Sequence, residues 1–275
     1  MPEAAAPTPE YTMGYSPEFL QLLDRRNAQA NAAHLLPNLD SGFRLLDFGC
    51  GPGTITVGLA EAVRPGEVHG IDMEESRVEL ARAAAAAGGH DNITFHVGNV
   101  YELPFEDGYF DAAHCHAVLM HVPDTQRALQ EVQRVLKPGG IIASREMIAS
   151  SSFSEPMGET TPEAWSTFIN LLAANGGHPE MGKELKAHLL RAGFADIRTS
   201  ASFDFFSSAP DVAFLHAFIC DWFFMPRVVE AATQYRLATH EQFERWRVEM
   251  DEWKDDPGAV GGLAFGEVIG VKPRG

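Results

Sequence analysis

Residues 45–54 read LLDFGCGPGT: an apolar run broken by one acid, Asp47, and followed by glycines at 49, 51 and 53. The apolar part, with Arg44 ahead of it, predicts a buried strand over Arg44–Phe48. Three glycines in five positions then allow a tight turn in which the backbone can come close to a ligand. Thr54 to Val63 continues as a helical pattern stopped by Pro65 and Gly66, so the free N–H groups at the start of that helix would point at the same place. The stretch therefore predicts a ligand-binding turn between a first strand and a first helix.

Outward from this turn, strand and helix patterns alternate. Strands are predicted over Val68–Ile71, Ile93–Val97, Ala112–Cys115 and Ile141–Arg145, and an alanine-rich helix over Glu75–Ala87 is stopped by Gly88 and Gly89. Ala128, Leu129, Val132, Val135 and Leu136 share one helical face between the last two strands. Such alternation predicts an α/β fold with a parallel, doubly wound sheet. Upstream, residues 1–14 are rich in Pro, Ala and Glu and predict a flexible tail, after which Ser16 would cap a helix with Pro17 in its first turn and an end before Pro37. Downstream of Glu146 the pattern loosens, then gives a helix over Gly182–Ala192, a strand over Asp196–Phe205, helical aromatic-rich sequence over 210–256 and a final strand in LAFGEVIGVK. Residues 15–275 thus read as one domain with helical lids or insertions at about 147–182 and 210–256.

Composition narrows the function. The 275 residues are long enough to bury one large core, and their formal net charge of −17 opposes wrapping a nucleic-acid backbone. Val212 to Met225 is the longest apolar stretch and is too short and too polar to span a bilayer. Cys50, Cys115 and Cys220 are odd in number and far apart, so no disulfide framework or zinc motif is expected, and no HExxH-like spacing marks a metal site. The amino terminus has no basic start or apolar core of a signal peptide, and a reducing cytoplasm is the expected setting.

Two ligands compete for the glycine turn: the pyrophosphate of a dinucleotide, and the amino-acid end of S-adenosylmethionine. The dinucleotide fingerprint is GxGxxG, whereas Gly49, Gly51 and Gly53 form GxGxG behind an acid. Asp47 would be unpaired beside a pyrophosphate but can orient the turn and help attract an ammonium. Asp72, at the end of the second strand, suits ribose hydroxyls in either case.

With LLDFGCGPGT, VHGID ending at Asp72, GNVYELPFEDGYFDAAHCHAVLMHV from Gly98 and RVLKPGG closing at Gly140, the chain resembles the class I S-adenosylmethionine-dependent methyltransferases, in particular the branch of ubiquinone and menaquinone C-methyltransferases. The resemblance covers roughly residues 30–205. It implies a Rossmann-like, doubly wound seven-stranded sheet with an antiparallel last strand, an N-terminal helical cover and a helical insertion before that strand. It further implies that Gly49, Gly51 and Gly53, with Asp47, Cys50 and Gly98 close by, line the methionine part, Asp72 the ribose and Met73 the adenine, while Asn99 and the Val100 amide read the adenine edge. Position 99 is usually acidic in the family, and Asn99 departs from it. His116 would contribute backbone near the methionine, and Tyr11 or Tyr15 could fold over the cofactor.

Methyl transfer from a sulfonium to a nucleophile leaves S-adenosylhomocysteine and draws much of its rate from alignment. A base is needed only if the acceptor must lose a proton. His116, His121 and Glu146 are the candidates by position, each with a plain alternative as a capping, packing or solvated strand-end residue; Tyr15 and His178 are further ones. His114 is expected in the core and Cys50 in a structural role. Phe214, Phe218 and Trp222, with Leu215, Ile219 and Phe223 beside them, make a helix apolar over much of its circumference. Such a helix suits ordinary core, a homodimer interface, or a lid over a hydrophobic or aromatic small-molecule acceptor; O, N, C and S all remain open as the methylated atom. A protein that binds the cofactor without transferring methyl, an NAD-type oxidoreductase and a protein methyltransferase are the other readings.

Overall fold

The computed structural model describes residues 17–274, with side chains from residue 20 onward. The tail 1–14, Tyr11, Tyr15 and the Ser16 cap lie outside the described residues. Among the described residues, ten helices and eight strands follow in the order α1 (Pro17–Asp24), α2 (Ala28–Asn31), β1 (Arg44–Phe48), α3 (Thr54–Val63), β2 (Glu67–Asp72), α4 (Glu75–Ala87), β3 (Ile93–Val97), β4 (Phe110–His116), α5 (Thr125–Val135), β5 (Leu136–Met147), β6 (Phe153–Glu155), α6 (Thr161–Ala174), α7 (Met181–Arg191), β7 (Ala195–Phe206), α8 (Ala209–Phe223), α9 (Pro226–Gln234), α10 (His240–Asp255) and β8 (Val260–Val271).

The strands form one sheet in the order β3-β2-β1-β4-β5-β8, with β6 and β7 both paired to β8. β1 through β5 are parallel, and β8 runs antiparallel between β5 and β7. The sheet has one strand more than the seven expected. The addition is β6, three residues that pair Phe153–Glu155 with Val260–Gly262 and extend the β5 edge of β8. Because β1 pairs with β2 on one side and β4 on the other, the order of winding reverses there, and a crevice opens at the carboxyl ends of those strands.

Alternation along each strand divides the core. Leu46, Phe48, Ala113 and Ile142 pack under α5 and α7 with Leu129, Val132, Leu185 and Leu189. Leu45, Ala112, Ala143 and Ile269 face the opposite way, against Leu59, Ala60 and Val63 of α3 and Ala28, Ala32 and Leu35. Each fully buried Leu, Ile or Phe contributes about 1.5–3 kcal/mol, so these two layers supply most of what holds the parallel strands. The face expected from Ala128, Leu129, Val132 and Val135 is the one buried on α5, whose Asp124 cap accepts from the Arg127 N–H at 3.0 Å.

The first helix does not run to Pro37. It ends at Asp24, and Asn27 restarts the chain: its Oδ1 accepts from the Ala30 N–H at 2.9 Å while its own N–H donates to Asn31 Oδ1 at 3.0 Å. Asparagine gains more from capping than from continuing a helix, so α2 begins as a separate turn. Among the described residues no single helix is long and apolar enough to cross a membrane.

Candidate active site

The glycine turn leaves β1 in a conformation that requires its glycines. Gly49, Gly51 and Gly53 have φ of +67, +53 and +80°. A Cβ on Gly49 would overlap the Val118 side chain, and one on Gly53 would come within 2.9 Å of the Phe95 ring. The turn is pinned from β2: the Ile71 carbonyl accepts from the Gly49 N–H at 2.7 Å and the Cys50 N–H at 3.1 Å, and Asp72 Oδ2 accepts from the Gly51 N–H at 2.9 Å. Gly53 begins α3 with no side-chain cap, so the first N–H groups of that helix are left for the crevice. On the other side, Thr54 Oγ1 donates to the Leu23 carbonyl at 3.0 Å and ties α1 across the turn as a cover.

Asp47 lies beneath the turn. It is 3% exposed, its Oδ2 accepts from Thr56 Oγ1 at 2.6 Å, and its Oδ1 lies 2.8 Å from Nδ1 of the buried His114. Its principal task is to hold the turn, although part of it still faces the crevice. Asp72 is the acid at the ligand side. Burial raises its pKa, opposed by the Glu74 and Gly51 N–H groups that bond its two oxygens. Each oxygen keeps a lone pair for a hydroxyl. Met73, beside it, is 70% exposed and lines the cavity.

Beyond β3, Gly98 and Asn99 continue the same wall. Asn99 Oδ1 already accepts from the Tyr101 N–H at 2.9 Å, so the side chain shapes its own loop and turns its amide N–H₂ elsewhere. Beyond β4, Ala117 has φ of +52° and its N–H donates to the Arg145 carbonyl at 2.9 Å.

Glu146 explains why the chain turns there. It is fully buried, its Oε1 accepts from the Val118 and Leu119 N–H groups at 3.0 and 2.9 Å, and its Oε2 from the Met120 N–H at 3.1 Å. Burial raises its pKa and those three N–H groups oppose the rise. Glu146 does not reach the cavity wall. Glu146, expected from the sequence as a candidate base, is placed here as the acceptor for a turn whose N–H groups have no helix to bond.

A cavity of about 590 Å³ joins these elements, a size suited to a small-molecule site. Its polar end is the glycine turn, Asp72, Met73, Asn99 and Val100. Its far end is apolar, walled by Phe153, Trp165 and Phe168 together with Leu215, Phe218, Ile219, Trp222 and Phe223 of α8. Phe214 is not in the wall: it stacks on Phe206 and carries the Arg25 guanidinium at 4.2 Å. Between the two ends lie His116 and His121. His116 is 5% exposed, and among the described residues neither of its ring nitrogens has a hydrogen-bond partner. Burial holds its pKa well below the ordinary histidine value, helped by Arg26 and Arg145, the latter stacked 3.7 Å from the Phe265 ring that His116 also meets. His121 is lowered to about 4, by burial and then Arg26. Both rings are neutral at pH 7. His178, in the turn between α6 and α7, donates its N–H to the Met120 carbonyl and stays out of the wall.

Two basic residues of the cavity lining, Arg77 and Arg26, were not expected from the sequence. Arg77 is 4% exposed on the first turn of α4, where the helix dipole disfavours a cation, and that misplacement was the available signal. Arg26 sits in the break between α1 and α2, which no pattern announced.

A glycine turn at a winding reversal, an acid at the next strand end and a cavity continuing into an apolar chamber define a nucleoside-cofactor transferase fold. The chain belongs to the methyltransferase domain family: a family model of that description matches residues 39–191. It is 38% identical over 159 residues to a protein described as a probable methyltransferase from Aspergillus luteorubrus, covering 54% of this chain and 56% of that one. It is 38% identical over 112 residues to a demethylmenaquinone methyltransferase from Bacillus pumilus, covering 40% and 48%. The chain thus spans about half the length of these curated relatives. The crystal structure of the YcgJ protein from Bacillus subtilis superposes with a TM-score of 0.61 at 20% identity, over 89% of this chain and 99% of that one, a likeness of fold.

Proposed function

We propose that this protein transfers a methyl group from S-adenosylmethionine to a small, apolar, ring-bearing acceptor. The observation that carries the reading is the continuity of one cavity from the glycine turn and Asp72 to the aromatic wall of α6 and α8. The cradle fits the cofactor: three glycines hold left-handed backbone, two of them, Gly49 and Gly53, where a Cβ would intrude, α3 offers uncapped N–H groups, and Asp72 has lone pairs for two ribose hydroxyls. When bound, S-adenosylmethionine supplies a sulfonium methyl for in-line displacement.

The protein's part is binding, alignment and exclusion of water. Asp72 and the turn fix the nucleoside and amino-acid ends, Met73 covers the adenine, and Asn99 with the Val100 amide borders its edge. The aromatic chamber orients the acceptor and keeps the transfer dry, where alignment alone supplies a large part of the acceleration. His116 and His121 are neutral and can accept a proton. His121, with a pKa of about 4, is too weak a base to take one from an unactivated alcohol. The chamber therefore suits an acceptor whose nucleophile is already electron-rich, such as an activated ring carbon, an amine or an ionised phenol. The reading includes one catalytic unit over residues 15–275, with 147–182 and 210–256 as its cover. It also includes a cytoplasmic setting in keeping with three unpaired cysteines, no nucleic-acid partner, and a homodimer as the assembly to look for.

Calorimetric titration with S-adenosylmethionine, S-adenosylhomocysteine and NAD, with Asp72→Ala alongside, tests the cofactor. Both adenosyl ligands are expected to bind and to lose about 100-fold in Asp72→Ala, two hydrogen bonds to a charged group at about 1.5 kcal/mol each. Binding of NAD alone overturns the reading. Quinols, phenols and aromatic amines are then screened by formation of S-adenosylhomocysteine; tight cofactor binding without turnover on any class would mark a protein that holds the cofactor and does not transfer methyl.

A further inference from the structure

On the side of α8 turned away from the cavity, three side chains converge that the methyl-transfer reading does not use. His216 and Cys220 are four residues apart on α8 and so share one face. Asp251 meets them from α10. His216 Nε2 lies 2.7 Å from Asp251 Oδ1 and 3.4 Å from Cys220 Sγ, and one donor atom from each of the three lies within 4.8 Å of the others.

A hydrogen-bond account of this cluster is incomplete. Nε2 holds at most one proton: if it donates to Asp251, it cannot also accept from the thiol, and if it accepts from the thiol, its contact with the carboxylate loses its proton. A cation satisfies all three at once, because each then serves as an electron-pair donor. Zinc takes nitrogen and oxygen at about 2.0–2.1 Å and sulfur at about 2.3 Å, which in a tetrahedron spaces neighbouring donors by about 3.3–3.8 Å. The observed N–S spacing falls in that range, and the N–O spacing requires an opening of about half an ångström, available to an exposed aspartate by rotation.

We propose that His216, Cys220 and Asp251 bind a thiophilic divalent cation of the zinc type, with water completing its shell, and so pin α8 to α10. His216 and Cys220 are largely covered, while the Asp251 side chain is 56% exposed and gives the cation a route from solvent. Asp221 adds negative charge nearby, and Arg247 and Lys254 oppose it. Both cations are drawn aside, Arg247 over the Phe224 ring at 5.7 Å and Lys254 toward Asp255 at 3.6 Å. On binding, the Cys220 S–H proton passes to solvent and the sulfur pair goes to the metal, with no change of oxidation state. Because binding releases that proton, cation affinity rises with pH. The other faces of the same helices carry Leu215, Phe218, Ile219 and Trp222 of α8 and Met250 of α10 into the cavity wall, so the pin stiffens the acceptor chamber.

Cobalt is the probe. The full chain, treated with chelator and kept reduced with a phosphine, is titrated with Co²⁺ and followed in the near-ultraviolet thiolate-to-cobalt band and the visible bands. Saturation at one equivalent and displacement by Zn²⁺ are expected. The band should vanish in Cys220→Ala, persist in Cys50→Ala, and need at least tenfold more cobalt in Asp251→Asn. Far-ultraviolet circular dichroism shows whether Cys220→Ala is folded, and Asp251→Asn alters an exposed side chain, so its loss of affinity reads the site and not the fold. Absence of the band in the parent protein, its survival in folded Cys220→Ala, or unchanged affinity in Asp251→Asn overturns the proposal.

Discussion

The two ends of the cavity are built on opposite principles. The cofactor end is a set of backbone positions fixed by hydrogen bonds: Asp72 and the Ile71 carbonyl hold the glycine turn, and Glu146 holds the turn after β4. The acceptor end is a set of side chains held by apolar packing, with Phe168, Trp222, Phe223, Phe243 and Trp246 meeting ring against ring. Hydrogen-bonded backbone tolerates almost no change of residue, whereas an aromatic wall can change its rings and keep its area. One end is suited to a constant ligand and the other to a ligand that differs from enzyme to enzyme.

The sharpest way to break the contrast is Gly49→Ala. The substitution sets a Cβ against Val118 at a positive φ, a combined cost of about 3 kcal/mol. Calorimetry should show a loss of about 100-fold in affinity for S-adenosylhomocysteine. Unchanged affinity would mean that the turn is not the cofactor cradle. Glu146→Ala tests the second hydrogen-bonded turn, leaving the Val118, Leu119 and Met120 N–H groups without their acceptor. At about 1 kcal/mol for each buried donor, unfolding stability should fall by about 3 kcal/mol, measured by chemical denaturation. Glu146→Gln, which keeps one acceptor oxygen, should recover part of it. A catalytic carboxylate at this position would instead lose turnover in both variants with stability intact.

The same contrast governs what could be read from the sequence. β1, α3, α4 and β3 fall on the residues expected for them, because glycine stops, a proline and strand alternation act locally. The glycine turn follows the order of those elements, so a short motif locates the turn. β6 and the break at Asn27 were not legible: three residues carry no periodicity, and the restart at Asn27 depends on Asn31 returning its side chain to the cap. Phe153, Trp165 and Phe168 were equally hidden, since Phe153 reaches the chamber through the pairing of β6 with β8, and Trp165 and Phe168 through the packing of α6, where Phe168 meets Trp222 of α8. The surroundings of Glu146 were not legible either, since a strand-end acid looks alike in sequence whether it faces a cavity or receives three N–H groups.

Two half-buried histidines, only one of them in the cavity wall, give the molecule an acid limit. His34 and His121 are both lowered to about 4 from 6.5, chiefly by burial. A histidine with a depressed folded pKa binds its proton more readily when unfolded. Its share of stability is therefore complete above about pH 6.5 and is lost as the pH falls toward 4, at about 1 kcal/mol per unit for each ring. Denaturation midpoints measured from pH 7 to pH 5 should drop, and His34→Gln should remove part of that slope; an unaltered slope would show that His34 is not held neutral. At the acceptor end, Phe218→Ala takes a ring from the wall without touching the glycine turn. The KM of an identified acceptor should rise by about tenfold while affinity for S-adenosylhomocysteine stays within about twofold. Equal losses in both would join the two ends into one unit.

The smallest effect is expected where the cofactor end departs from its family. The resemblance to the quinone methyltransferases leads one to expect an acid at position 99, and the Oδ1 of Asn99 is already committed to the Tyr101 N–H at 2.9 Å. The substitution Asn99→Asp would keep that bond, since a carboxylate oxygen can take the same position, and would present a second oxygen where the amide N–H₂ now stands. A group that donates would become one that accepts, facing the adenine amino group. The gain is one hydrogen bond at an exposed edge, about 1 kcal/mol at most, less the cost of adding charge near Asp72. Affinity for S-adenosylhomocysteine should improve by about two- to fivefold. A loss of affinity would show that the Asn99 amide itself donates to the ligand, and that the wall beyond β3 has adapted to asparagine and not merely tolerated it.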